Sequence, residues 1–493
     1  MMTEFLSISW NLLLPQLVLL SAALFLLLLA VIYRAGNSSR GPSAAGAILS
    51  LLGLGVAGFM AFAQCETVAG TFGGMLRIDP FSTYFNILIL GGAALCVLLS
   101  VREAGELKAM AGEYYALLVF SVLGMVVMVS AADLLVIFIG LETMSLAVYI
   151  LVGIGRDSES GAEGALKYFL IGAFASAFMI YGIALLMGIT GSTRLEEIAS
   201  GLNMADGGTL QLVAVCLVLV GFLFKIAAVP FHMWAPDAYQ GAPTPITAFM
   251  AVAVKASAFA VLLRVLNVSL LPLADYWLPV MWTLAVLTMT VGNLAAIFQG
   301  NIKRMLAYSS IAHAGYLLVA LASINPAAGG DDPAVAAVLF YLAVYTLMNV
   351  GAFGVIIYLG GGGRQMETLE QVKGAGFRYP LLGVAMAVFM FSLAGIPPTG
   401  GFLGKFYVFS SAVNRGLISL AIIGVLNSAA SAYYYIRVTV QMYMRESEEP
   451  LPGLPFSVPL AVALLVALYG VFHLGLLPSD LITVADRAVL FLR

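Results

Sequence analysis

The sequence predicts an all-α polytopic membrane protein with fourteen transmembrane helices. Three observations predict it. The chain of 493 residues is 62% hydrophobic and only 10% charged, where soluble domains carry roughly 25% charged residues. Apolar runs of about 20 residues, enough to cross a bilayer, follow one another with connections too short to fold as separate domains. Basic residues gather in alternate connections. A soluble protein this apolar would have no polar surface for water, whereas helices satisfy their own backbone groups in lipid.

The spans follow in order. Asn11–Tyr33 is too long for the apolar core of a signal peptide and lacks a basic start, so it reads as a retained first helix. Ser43–Ala63 and Ile78–Val101 come next. Tyr114–Ala131 and Leu134–Gly153 meet in a tight turn at Asp133. Ala162–Thr190 is the sixth span. The seventh, Thr209–Val229, continues past Pro230 to Tyr239. Ile246–Asn267, Trp277–Gln299, Ile302–Ser323 and Pro333–Leu359 are the eighth to eleventh. The twelfth, Pro380–Val413, is interrupted by Pro397–Pro398 and Gly400–Gly401. Leu417–Met444 and Pro455–Leu476 complete the set. Two proline-broken spans, five helices apart, point to paired repeats with a site at each break. The expected division is 1-110 for helices 1–3, 111-270 and 271-447 for the repeats, and 448-493 for the last helix.

An even count puts both ends on one side. One set of connections then holds Arg34, Arg40, Arg102, Lys108, Arg156, Lys303, Arg304, Arg364, Lys373, Arg378, Arg437 and Arg445. The other side, with the ends, holds Arg77, Arg194, Arg264, Arg415, Arg487 and Arg493. This two-to-one bias places the first set in the cytoplasm and both ends outside. The net charge of -3 argues against a nucleic-acid partner. Cys65, Cys96 and Cys216 are isolated, which disfavours an iron–sulfur or zinc site made by this chain alone. No phosphate-binding glycine motif follows a strand, and Gly360–Gly363 reads as a loop. Glu446, Glu448 and Glu449 read as a solvated acidic loop, and Trp10, Trp277 and Tyr33 as interfacial anchors.

Ionisable residues inside the spans carry the functional signal, because a Lys or Asp at a helix centre costs about 2.5–3.5 kcal/mol on insertion scales. Of seven lysines, Lys167, Lys225, Lys255 and Lys405 fall within spans. Lys225 precedes the first break by about one turn, Lys255 is central in the eighth span, and Lys405 follows the second break. Glu142 is central in the fifth span. Burial disfavours the charged form of a lysine and a nearby carboxylate restores it. A glutamate beside a line of lysines is therefore a physically sensible proton switch and relay. A static ion pair would need only one lysine, leaving Lys255 and Lys405 unexplained. Lys167 sits near the start of its span, where it can snorkel to the interface. His232, at the first break, and His313, mid-span and five residues after Tyr308, are further candidates, since histidine passes protons near neutral pH. No second ligand stands at metal-binding spacing. His473 reads as structural.

Three stretches carry a family resemblance: Phe224–Thr244 (FKIAAVPFHMWAPDAYQGAPT), Asn301–His313 (NIKRMLAYSSIAH) and Leu393–Lys405 (LAGIPPTGGFLGK). They resemble the antiporter-like subunits of respiratory complex I, the NADH–quinone oxidoreductase, with subunit N the nearest match. The resemblance implies two inverted five-helix repeats, helices 4–8 and 9–13, each with a broken helix (7 and 12) and a half-channel, joined by a hydrophilic axis. Glu142 and Lys225 match the family's switch pair, Lys255 its central lysine and Lys405 the lysine of the second broken helix. Subunit M carries a glutamate at the Lys405 position, and subunit L adds a lateral helix for which this chain has no room. The resemblance implies no cofactor in this chain. NAD, FMN, iron–sulfur clusters and quinone would sit in partner subunits, with subunits M, K and J as neighbours in a bacterial inner membrane. The alternatives are a cation/proton antiporter subunit of an Mrp-type complex and a purely structural membrane subunit.

Overall fold

The computed structural model describes residues 9–35, 43–106, 110–155, 158–204, 208–360, 366–447 and 453–492. Twelve helices among them are long and apolar enough to cross a membrane. The apolar helices Thr209–Lys225 and Pro380–Ala394 are shorter because each is the first half of an interrupted span, completed by Ala235–Gly241 and Gly400–Asn414. The twelve full spans and two broken ones make the predicted fourteen. Arg40, Lys108, Arg156, Arg364, Arg493, residues 361–363, Glu448 and Glu449 lie outside the described residues.

The turn between the fourth and fifth spans is set by Asp133. Its Oδ1 accepts the backbone N–H of Leu135 at 2.8 Å, and Thr193 donates to its Oδ2 at 2.6 Å. The carboxylate thus caps orphan donors at the start of Leu134–Val152. The same two spans press backbone to backbone through Gly124 and Gly140. A Cβ on Gly124 would stand 2.5 Å from Met144 N, so only a small residue permits this approach.

Elements not anticipated include a short hairpin, Ala69–Thr71 with Leu76–Ile78, and three short helices, Leu195–Met204, Ala375–Arg378 and Ser479–Val489. Each is too short or too polar to register as a span.

The eighth span is buried along its whole length, and the tenth nearly so. A helix enclosed all round needs neither a polar nor a lipid face, so polar side chains on it face only other helices. The helix is also irregular there: a π turn, Met250–Val254, leads directly into Lys255. Such turns are frequent at functional sites.

Two sequence readings are corrected here. Arg264, counted with the outer loop charges, is buried in the eighth span and forms a two-pronged ion pair with Asp79, both contacts 2.8 Å. Trp277, read as an interfacial anchor, is buried, its indole N–H on Leu270 O at 2.8 Å. Both lie near span ends, where sequence position cannot tell a lipid-facing side chain from one packed on a neighbouring helix.

Candidate functional site

Both broken spans leave backbone groups without helical partners, and side chains take them up. At the first break Ala227 has φ 56° and the Val229–Pro230 bond is cis. The Trp234 indole donates to Phe224 O at 3.1 Å, and Thr288 Oγ1 accepts from Val229 N at 3.1 Å. At the second, Pro397–Pro398 is cis and Gly395 has φ 88°. There Lys405 itself donates to Ala394 O at 2.8 Å. Gly395 is required twice over: its φ is left-handed, and a Cβ would stand 2.9 Å from Lys405 Cδ.

Lys225 is buried. Its Nζ donates to Tyr149 Oη at 3.1 Å and lies 5.0–5.3 Å from the ring centres of Tyr149, Phe224 and Tyr168. Tyr168 in turn stacks flat on Trp234, 3.9 Å between centroids. The ammonium therefore sits in an aromatic cage with one neutral oxygen partner. Glu142 is half-buried and accepts from Ser176 Oγ at 2.5 Å. It is close enough to Lys225 for the charges to interact, but the two make no salt bridge. The predicted pair is coupled through space, and Tyr149 bonds to the lysine without bridging it to the carboxylate.

Lys255 is buried and donates to Ser310 O at 2.5 Å and to Ser310 Oγ, with the Tyr345 ring centre 5.4 Å away. Tyr239, from the second half of the broken seventh span, reaches the same serine at 3.4 Å. Lys405 donates to Ser428 Oγ at 2.9 Å as well as to Ala394 O, and lies over the Tyr316 ring at 5.0 Å. His313 is buried within electrostatic reach of both Lys255 and Lys405. The three lysines, Glu142 and His313 thus share one interior, spread over the fifth, seventh, eighth, tenth and twelfth spans.

The other candidates lie elsewhere. Lys167 pairs with Glu163 at 2.5 Å and Asp237 at 2.7 Å, and Arg304 joins Asp237 at 2.5 Å. This ion cluster stands at one end of the bundle, beside a cavity of about 410 Å³ bordered by Glu103, Lys303 and Glu367. His232 is half-buried between exposed Pro230 and Met233, on the outer side of the break, and bonds to none of the lysines. Tyr308 is half-buried, and its hydroxyl has no hydrogen-bond partner among the described residues. His473 stacks on Tyr469 at the last span. Among the described residues no group of three or more His, Cys, Asp or Glu could hold a metal ion.

Sequence reasoning missed the neutral partners: Tyr149, Ser310, Ser428, and the hydroxyls of Tyr341 and Tyr435 around His313. One signal was available. Tyr341 and Tyr345 in the eleventh span, and Tyr434 and Tyr435 in the thirteenth, are mid-span, where a hydroxyl must find a partner inside the protein.

Residues 131–431 match the family described as NADH:quinone oxidoreductase/Mrp antiporter, transmembrane. The chain is 47% identical over 487 residues to the NADH-quinone oxidoreductase subunit N of Trichlorobacter lovleyi, covering 98% of both. Among solved structures it superposes on a chain of respiratory complex I from Thermus thermophilus with a TM-score of 0.80 and 35% identity, covering 95% of this chain and 98% of that one. A chain of the Mrp complex from Dietzia shares the fold, with a TM-score of 0.82, 22% identity and 97% of each chain covered.

Proposed function

This chain belongs to the antiporter-like membrane subunits of NADH:quinone oxidoreductase, of the subunit N type, and from that premise we propose how it moves protons. It is a proton-translocating, multi-pass membrane subunit of complex I. Protons pass along Glu142, Lys225, Lys255, His313 and Lys405, from the first broken helix to the second. The two halves of the path belong to the repeats 111–270 and 271–447. A charge displacement arriving at Glu142 changes the hold on Lys225's proton through space. Lys225 and Lys255 then change charge in turn, and Lys405 receives the proton beyond His313. The redox chemistry, with its NAD, FMN, iron–sulfur clusters and quinone, belongs to partner subunits, and subunits M, K and J are the expected neighbours. Both termini face the periplasm of a bacterial inner membrane.

One observation carries this reading. The structure pairs its structural cations with carboxylates: Arg264 with Asp79, Lys167 with Asp237, Lys303 with Glu367. Lys225, Lys255 and Lys405 have only neutral partners, namely a phenol, serine oxygens and a backbone carbonyl. Separating a buried ion pair costs about 3–5 kcal/mol, and a lysine held that way stays charged. A lysine held by neutral oxygens can lose its proton without stranding a buried carboxylate. This opposes the static ion-pair alternative.

The test is proton pumping by the whole complex in liposomes. Lys255→Ala, Lys225→Ala and Lys405→Ala are each expected to leave assembly intact and to lower pumping tenfold or more, with coupled quinone reduction falling in parallel. Normal pumping by assembled Lys225→Ala or Lys255→Ala enzyme rejects the relay.

A further inference from the structure

Three hydrogen bonds in series join four buried side chains of the tenth, eleventh and thirteenth spans. Ser309 Oγ is 2.5 Å from Tyr435 Oη, Tyr435 Oη is 2.9 Å from His313 Nε2, and His313 Nδ1 is 2.6 Å from Tyr341 Oη. Hydroxyls both donate and accept, and a neutral imidazole carries one N–H and one bare nitrogen. The run can therefore hold every hydrogen bond in either of two opposite polarities, and the imidazole tautomer says which. Each end lies one residue from a lysine or its partner. Ser309 is the neighbour of Ser310, which holds Lys255. Tyr341 lies against Gly404, next to Lys405, so closely that a Cβ there would be 3.0 Å from the ring.

Resting on the relay reading above, we propose that Ser309, Tyr435, His313 and Tyr341 form a wire that carries one proton per passage and must then reset. Tyr435 and Tyr341 are on this account relay residues of the pump.

The transfer balances. With the imidazole proton on Nδ1, a proton arriving at Ser309 Oγ releases the serine's own proton to Tyr435 Oη. Tyr435 passes its proton to Nε2. Nδ1 gives its proton to Tyr341 Oη, and the original Tyr341 proton departs toward Lys405. Each O–H or N–H bond broken is matched by one formed, one proton enters and one leaves, and the wire stays neutral. It is left in the opposite polarity, with Nε2–H now donating to Tyr435. A second proton in the same direction must wait until the hydroxyls rotate and the imidazole returns to its first tautomer. That waiting step ties passage to the working cycle and opposes a leak.

The experiment is pumping in liposomes by the assembled complex carrying Tyr435→Phe, Tyr341→Phe, Tyr435→Phe with His313→Gln, and Tyr84→Phe. Tyr84 is the control: it is buried in the third span and its hydroxyl donates to Leu339 O in the eleventh at 2.9 Å, outside the wire. Tyr435→Phe and Tyr341→Phe are each expected to lower pumping at least tenfold. The double variant should be no worse than Tyr435→Phe alone, because a broken wire cannot be broken again, and Tyr84→Phe should pump within twofold of the parent. Pumping within twofold by Tyr435→Phe or Tyr341→Phe overturns the wire, as does an equal loss in Tyr84→Phe. Failure of both wire variants to assemble would make the hydroxyls structural and overturn it too. A Lys255→Ala arm separates the two levels. If Lys255→Ala is impaired while Tyr435→Phe is not, the wire fails and the relay stands. If both pump normally, the relay itself fails.

Discussion

Replacing Gly172 by alanine should disable Lys225 without touching it. A Cβ on Gly172 would stand 2.0 Å from Tyr149 Oη and 2.8 Å from Tyr149 Cζ, where carbon contacts relax at roughly 3.5–4.0 Å. The sixth span cannot back away freely, because Gly182 on the same helix already brings it against the seventh, where a Cβ would be 2.7 Å from Val218 N. Tyr149 must swing instead, and its hydroxyl is the hydrogen-bond partner of Lys225. Overpacking of this kind costs about 1–3 kcal/mol, and a hydrogen bond to a charged group is worth about 1.5–3 kcal/mol. A loss of the second size in the proton-loading step corresponds to roughly ten- to hundredfold in rate. The assay is proton uptake by proteoliposomes holding the intact complex, followed with a pH-sensitive dye. Tyr149→Phe removes the same hydrogen bond directly, so most of the effect of Gly172→Ala should be absent in that background. Wild-type pumping by Gly172→Ala would refute the reasoning, and so would full additivity of the two changes.

Two further outcomes are expected. Removing either partner of the buried Arg264–Asp79 pair, by Arg264→Leu or Asp79→Leu, should destabilise the subunit by about 3–5 kcal/mol, while the double change to leucine recovers most of it; thermal melting of the purified complex decides. Burial, and then Asp331 nearby, push the Asp486 carboxyl above its ordinary value of 3.8. A raised carboxyl favours the folded form fully below 3.8 and withdraws that support as pH rises through the higher folded value. Hydrogen-exchange protection of the helix Ser479–Val489 should therefore fall between acid and neutral pH, and Asp486→Asn should flatten the fall.

The bundle was legible because its signals are local. Length, apolarity and a proline are properties of a segment, and lipid leaves a segment of that kind one option. Even the turn at Asp133 follows from a carboxylate placed to cap the next helix. The hairpin Ala69–Thr71 with Leu76–Ile78 was not legible: three-residue strands give no periodicity, and its form is fixed by contacts such as Arg77 N to Ser130 O at 2.8 Å, far along the chain. Arg264 was misplaced for a related reason. Its partner Asp79 belongs to the start of the third span, and no pattern within the eighth announces it.

The candidate site divides along the same line. An ionisable residue in an apolar run is conspicuous, so Glu142, Lys225, Lys255, Lys405 and His313 stood out. What surrounds each is decided by three or four helices meeting, and a tyrosine in a span reads as one more aromatic. Yet those neutral neighbours settle what a lysine can do. Lys167 and Lys225 are both cations within predicted spans, Lys167 near the start of its own. The fold gives Lys167 two carboxylates within 2.7 Å, and Lys225 a phenol at 3.1 Å. The first arrangement fixes a charge, since deprotonation would leave two acids facing each other. The second lets the charge change, since a phenol can donate to a neutral amine as well as accept from an ammonium. The difference between a strut and a carrier lies in the partner, and the partners that decide it, Asp237 for Lys167 and Tyr149 for Lys225, come from other helices.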